Sequence, residues 1–177
     1  LPEPEKFIIR FIALARQKKW DFKEIQGAVF CDPIAKDEKT GFSRPVNLIK
    51  ASLTLPSFHV FTVDADVFHN SGASIVSEMA FGLARGSAYM QALTDKGLDA
   101  KLVAAKMRFR LAVGSNYFME IAKFRALRYL WAKILTAFGV DKNDSRLYLH
   151  AINSQWNKSL YDSHVNMLRT TTEAMSA

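Results

Sequence analysis

Apolar and polar positions along the chain alternate between two periods, and their sequence predicts strands separated by helices. Residues 5–18 carry apolar side chains at 7, 8, 11, 12, 14 and 15, the spacing of one helix face. Residues 25–31 form a short apolar run rich in strand formers, closed by Asp32-Pro33. The charged stretch 36–44 reads as a surface loop, and 46–53 as a short helix or bridge. Phe58 to Val63 is uniformly apolar apart from His59 and Thr62 and predicts a buried strand. A turn at Asn70-Ser71-Gly72-Ala73-Ser74 leads into a helix over 74–94, whose apolar side carries Ile75, Met79, Leu83, Met90 and Leu93. A shorter helix, 99–107, leads into a strand at 109–113.

The strand at 109–113 breaks on Gly114 into the longest helix, 116–138. Asn116 suits its N-cap, because the side-chain oxygen can accept from a free amide of the first turn. Glu120 sits where a negative charge favours the positive end of the helix dipole. A strand at 147–152 and a helix starting near His164 complete the order. Strands joined through long helical connections pair in parallel. The fold class expected is α/β, with four strand-helix units amounting to about half of an eight-stranded (β/α) TIM-type barrel. Such a segment leaves sheet edges unpaired unless something covers them.

Composition narrows the picture. At 177 residues and 49% hydrophobic, one domain over 1–177 is expected. The chain opens on Leu1-Pro2-Glu3-Pro4 without Met and stops inside a helix-forming run, so an excised segment is expected. No apolar run approaches the roughly 20 residues of a membrane span. The single Cys31 cannot form an intrachain disulfide, fits a reducing compartment, and reads as a small buried hydrophobe. The net charge of +7 raises a nucleic-acid or general interaction module as a rival class. Its basic residues are scattered over helix faces rather than gathered into a binding module, which argues against that reading. No GxGxxG or GxxxxGK[ST] follows a strand, which lowers the nucleotide-binding readings.

In a parallel barrel the chemistry sits on loops at the C-terminal strand ends. Those loops present Asp32, the stretch from Asp64 to His69, Gly114 to Asn116, and His150 to Trp156. His69 and His150 are the candidate functional histidines, since His59 lies within a strand and His164 starts a helix. The four histidines and one cysteine lack metal-ligand spacing. Asp64 and Asp66 allow a paired-acid role, although two solvated loop carboxylates are the preferred reading. The methionines read as core packing.

The words around Gly114 go further. Asn116-Tyr117-Phe118-Met119-Glu120-Ile121-Ala122-Lys123, followed by Arg125-Ala126, Arg128 and Leu130-Trp131-Ala132-Lys133, closely resembles the acyl-CoA mutase barrel of methylmalonyl-CoA mutases. Leu1-Pro2-Glu3-Pro4 resembles that family's Pro-Glu-Pro lead into a barrel helix. Gly72-Ala73-Ser74 with Glu78 and Ala80 is similar to its Ala-Gly-Ala-Thr helix start. Val165-Asn166, Arg169-Thr170 and Glu173-Ala174 follow its later Asn-Asn-x-x-Arg-Thr-x-x-Glu-Ala helix. The likeness covers about 1–20 and 58–177, while 25–55 is longer than in the catalytic chain.

The resemblance implies an adenosylcobalamin-dependent interconversion of methylmalonyl-CoA and succinyl-CoA, in the bacterial cytoplasm. It also implies what has changed. The family's Gly-Tyr-His triplet falls on Ala65, Asp66 and Val67, so no catalytic residue is expected here, and His69 lies two residues late. An arginine that contacts coenzyme A falls on Lys106, which keeps charge but loses the bidentate fork. The His of the family's His-x-Gln is kept as His150 and its Gln becomes Ile152. Lys106 and His150 are therefore the candidate substrate-binding residues. This pattern is most like the small, non-catalytic subunit, paired as a heterodimer with a large subunit that would carry the cofactor. A catalytic acyl-CoA mutase with altered site residues is the alternative. The Asp-x-His-x-x-Gly cobalamin-binding domain is absent from these residues, and neither a nucleic-acid nor a membrane partner is expected.

Overall fold

A computed structural model describes residues 4–32 and 42–177. Five strands, β1 (Gly27–Ala28), β2 (Phe58–His59), β3 (Phe61–Asp64), β4 (Met107–Val113) and β5 (Leu149–Asn153), all pair in parallel, in the orders β1-β2 and β3-β4-β5. Only Val60 separates β2 from β3, and its amide donates to the Lys106 carbonyl at 2.9 Å. On the other edge Val29 N donates to His59 O at 2.9 Å and Thr62 N to Cys31 O at 2.8 Å. The run 58–64 is thus shared by both ladders. The parallel α/β expectation holds.

The helices are α1 (Pro4–Gln17), α2 (Ser43–Ala51), α3 (Asp66–Asn70), α4 (Ile75–Thr94), α5 (Ala100–Lys106), α6 (Tyr117–Ala137) and α7 (Ser163–Ser176). Ser74 caps α4 by accepting from Ser77 N, Asp99 caps α5 through Leu102 N, and Asp162 caps α7 through Val165 N. Of the segment 46–53, residues 46–51 belong to α2, which also takes in Ser43 and Arg44 from the expected loop. Most of that loop lies outside the described residues. None of the described helices is long and apolar enough to cross a membrane.

Alternation along β4 builds the core. Met107, Phe109, Leu111 and Val113 turn toward the helices, and Arg108 and Arg110 take the opposite face. Phe109 meets Trp131 of α6 edge-on, with ring centroids 4.7 Å apart. A Cβ on Gly86 of α4 would lie 2.5 Å from Phe109 Cζ and 2.9 Å from Trp131 Cζ3. Glycine is needed there because the rings touch the helix backbone. The buried stripe of α4 is Glu78, Gly82, Gly86, Tyr89, Met90 and Leu93, so Ile75, Met79 and Leu83 flank it rather than fill it.

Two local expectations are corrected. Asn116 precedes α6 but makes no side-chain cap bond. The Gly114 amide instead donates to Glu120 Oε1 at 3.1 Å, so the carboxylate of the first turn reaches back over the corner. The methionines also divide: Met90 and Met107 are buried, whereas Met119, Met167 and Met175 are exposed on faces that no described element covers.

Candidate functional site

The C-terminal strand ends bring together three carboxylates and two guanidiniums. Arg110 of β4 grips Asp66 with both arms, Nε to Oδ1 at 2.7 Å and Nη2 to Oδ2 at 3.0 Å. The same Nη2 lies 2.6 Å from Asp64 Oδ1. Arg85 reaches over from α4, its Nη1 donating to Asp32 Oδ2 at 3.0 Å and to the Asp64 carbonyl at 3.1 Å. Tyr89 donates its hydroxyl to Asp32 Oδ1, and Asp64 N donates to Oδ2 at 3.3 Å. Phe30 lies under the Arg110 guanidinium at 4.2 Å. Asp64 and Asp66 are 6% and 4% exposed, so they are not the solvated loop pair the sequence suggested. Parallel pairing explains this, because Asp64 stands opposite Arg110 in register and meets a cation at once.

Burial, with Asp66 close beside it, pushes the Asp64 carboxyl up to about 7 despite Arg110. A proton held in the fold above the ordinary carboxylate range stabilises most at low pH. That contribution fades as pH rises from about 4 through about 7. His59 has the opposite sign. Burial lowers it to about 4, so it opposes folding as pH falls below about 6.5. Asp64→Asn should therefore flatten the fall in stability between about pH 4 and 7, and His59→Gln the fall between pH 6.5 and 4. Urea midpoints across pH check both, and an unchanged slope in either variant counts against its assignment.

A second buried cluster lies behind the Gly114 corner. Lys123 is fully buried, with Nζ 2.8 Å from Glu78 Oε2, 2.5 Å from Glu120 Oε2 and 2.7 Å from the Ala112 carbonyl. Glu78 Oε1 accepts from Ala112 N at 2.8 Å. His69 Nε2 bonds Ser154 Oγ at 2.7 Å, and its Nδ1 lies 3.7 Å from Glu78 Oε2. These groups tie the ends of β3, β4 and β5 to α4 and α6. Ser154 and Glu78 are buried, which makes this an internal clamp rather than an open catalytic set.

The residues singled out by sequence scatter. Asp66 is locked to Arg110 and Val67 is 40% exposed at the same strand end. With both Asp66 oxygens engaged and Val67 aliphatic, neither of these two side chains presents a hydrogen-bond donor. Lys106 lies at the other end of β4, 2% exposed, donating to the carbonyls of Ser52 and Leu55. Burial pushes its ammonium down to about 8. Its charge is spent within the fold. His150 is exposed at the start of β5, opposite Arg110 in register. Burial, with Arg108 and Arg110 nearby, lowers its pKa. His164 is exposed in the first turn of α7. Among the described residues no three His, Cys, Asp or Glu side chains gather as a metal site.

Sequence reasoning missed Arg85, Arg110, Glu78, Lys123 and Ser154. For Arg110 a signal existed: with Arg108 it alternates with Met107, Phe109 and Leu111, which puts two guanidiniums on one sheet face. Glu78 and Lys123 stood among the words that carry the resemblance, but nothing local marked them as buried, since single charges on helices ordinarily face solvent.

The profile of the family described as methylmalonyl-CoA mutase matches residues 6–177. The methylmalonyl-CoA mutase small subunit of Porphyromonas gingivalis is 40% identical over 175 residues, covering 94% of this chain and 28% of that protein. The small subunit of Streptomyces virginiae is 35% identical over 159 residues, covering 86% and 26%. The large subunit of P. gingivalis is 41% identical over 128 residues, covering 71% and 18%. The chain thus spans only 18% to 28% of the length of these relatives.

Proposed function

The chain belongs to the methylmalonyl-CoA mutase family, and on that premise we propose that it is a segment of a small subunit, a structural and non-catalytic partner of a large subunit. The holoenzyme would interconvert methylmalonyl-CoA and succinyl-CoA, with adenosylcobalamin on the large subunit. Residues 1–177 would form part of a (β/α) barrel, the remaining strands coming from outside this segment. The observation that carries the reading is the bidentate Asp66–Arg110 pair. It stands where the resemblance expects a tyrosine, next to Val67 in place of a histidine. Neither the engaged Asp66 carboxylate nor the aliphatic Val67 supplies the donor that a tyrosine or histidine there would offer to a thioester carbonyl.

Two further points support the small-subunit assignment. The match to the P. gingivalis small subunit extends over 94% of the chain against 71% for the large subunit of the same organism. Lys106, which falls where the resemblance places a coenzyme A-contacting arginine, is engaged by backbone carbonyls, which favours a structural role for it. The apolar side chains left exposed on α7 and at the start of α6 are suited to burial against further strands or a partner. A cytoplasmic location is in keeping with the assignment.

The full-length chain, purified alone and given methylmalonyl-CoA and adenosylcobalamin, should show no turnover, while its complex with the large subunit should be active. Turnover by the chain alone would establish the catalytic alternative instead. Asp66→Tyr combined with Val67→His should leave the isolated chain inactive, because the cofactor would still be carried by the large subunit.

A further inference from the structure

Asp64 and Asp66 leave the end of β3 two residues apart and share one cation. Arg110 Nη2 lies 2.6 Å from Asp64 Oδ1 and 3.0 Å from Asp66 Oδ2, while its Nε donates to Asp66 Oδ1 at 2.7 Å. The two acids thus compete for one planar fork, and their protonation decides which holds it. A protonated Asp64 leaves both arms of Arg110 to Asp66. A charged Asp64, opposite Arg110 in the ladder, would share an arm with a like charge beside it.

The neighbouring groups among the described residues do not relieve that conflict. Arg85 of α4 is engaged by Asp32 and by the Asp64 carbonyl, and Asp32 also takes the Tyr89 hydroxyl. Arg108, two residues before Arg110, is held at Nε by the Thr62 hydroxyl and lends Asp64 a more distant charge. His150 stands opposite Arg110 on β5, where burial and the two arginines disfavour its charged form. His69 of α3 is turned to Ser154 and Glu78.

Asp66 is also the first residue of α3, a five-residue helix held by contacts beyond itself, for Ala65 gives it no side-chain cap. Phe68 lies under the Arg85 guanidinium at 4.9 Å. His69 Nε2 bonds Ser154 Oγ at 2.7 Å, Gln155 N donates to Asn70 Oδ1 at 3.0 Å, and the Trp156 ring packs over Gly72. The segment 66–72 therefore ties the exit of β3 to the exit of β5, and Arg110 pins its first residue.

We propose that Asp64, Arg110 and Asp66 form a proton-operated latch: a proton on Asp64 lets Arg110 pin α3 through Asp66, and its loss draws Arg110 to Asp64 and releases α3 with the turn at 154–156. Burial, with Asp66 beside it, places the Asp64 proton at about 7, so the latch is closed below neutrality and open above it. The device is a property of this chain and does not rest on the subunit assignment.

Hydrogen exchange of the full-length chain tests it, read by mass spectrometry at pH 6 and at pH 8 and corrected for the intrinsic effect of pH on exchange. Peptides covering 65–72 and 154–157 should lose about tenfold or more in protection at the higher pH, the scale of one charge-assisted hydrogen bond. The interior of β4, residues 109–112, should not change. Asp64→Asn, which cannot lose a proton, should keep 65–72 protected at both values. Asp66→Asn, which removes the pinned carboxylate, should leave that segment exchanging fast at both. His150→Gln should keep the transition. Unchanged circular dichroism and unchanged protection of 109–112 establish that the variants are folded. Infrared difference spectra of the unmodified chain supply a second reading: a protonated carboxyl band should disappear over the same pH interval. Protection of 65–72 indifferent to pH, equal loss in 109–112, a transition that survives Asp64→Asn or vanishes with His150→Gln, or a carboxyl band that does not change overturns the proposal.

Discussion

Replacing Lys123 by methionine should destabilise the protein by roughly 3–5 kcal/mol, the usual cost of stranding buried charge by removing one partner. The ammonium has no exposed surface and is the common cation of Glu78 and Glu120. Without it, two carboxylates remain in the core with the Gly114 and Ala112 amides as their main compensation. Burial already raises the Glu78 carboxyl, with Lys123 as the largest opposing influence. Its removal lets that carboxyl rise further, so the loss in the variant should be greater at pH 8 than at pH 6. Urea unfolding of the full-length chain at both values measures it. Adding Glu78→Gln and Glu120→Gln to the variant should recover much of the stability, because neutral amides leave less charge buried. A loss below about 1 kcal/mol, the size of an exposed pair, would mean that water reaches the cluster.

Trp131→Ala should cost a similar amount, roughly 3–5 kcal/mol, through a cavity rather than a charge. Trp131 is 1% exposed and packs on Phe109 and on the bare backbone at Gly86. The three positions are coupled, since Gly86 is small only because the rings are large. Gly86→Leu alone should be destabilising through overpacking. Placed in the Trp131→Ala background, the same leucine should fill part of the cavity and cost less than the sum of the two changes. Strict additivity in the double-mutant cycle would refute the jigsaw reading of this contact.

Much of the fold was legible in the sequence for a physical reason. Helix and strand periods differ, so the helices at Pro4–Gln17, Ile75–Thr94 and Tyr117–Ala137 stood out, and long connections dictated parallel pairing. Strand limits were less legible. The strand expected at 109–113 begins at Met107, and the one expected at 147–152 is Leu149–Asn153. The reason is that Val60 N reaches Lys106 O and Phe109 N reaches Tyr148 O, bonds made by neighbours distant in sequence. The candidate site was harder. Asp64 and Asp66 looked like loop acids because nothing local supplies a cation, and Asn116 looked like a capping side chain because Glu120's reach back to Gly114 was not visible.

The division between sequence and structure follows the range of the forces involved. Local periodicity, turn glycines, and the collinear words from Gly72 to Ala174 by themselves determined an α/β chain of the mutase family. They also marked Asp66 and Val67 as departures from the catalytic pattern. Only the tertiary structure decided what those departures do. Parallel register sets Arg110 opposite Asp64 and beside Asp66, closing the strand end on itself. The same register sets Arg108 beside Thr62, and the packing of α4 on α6 buries Lys123 between two acids. Charge pairing over a few ångströms depends on which strand lies next to which, and sequence separation carries no trace of that distance.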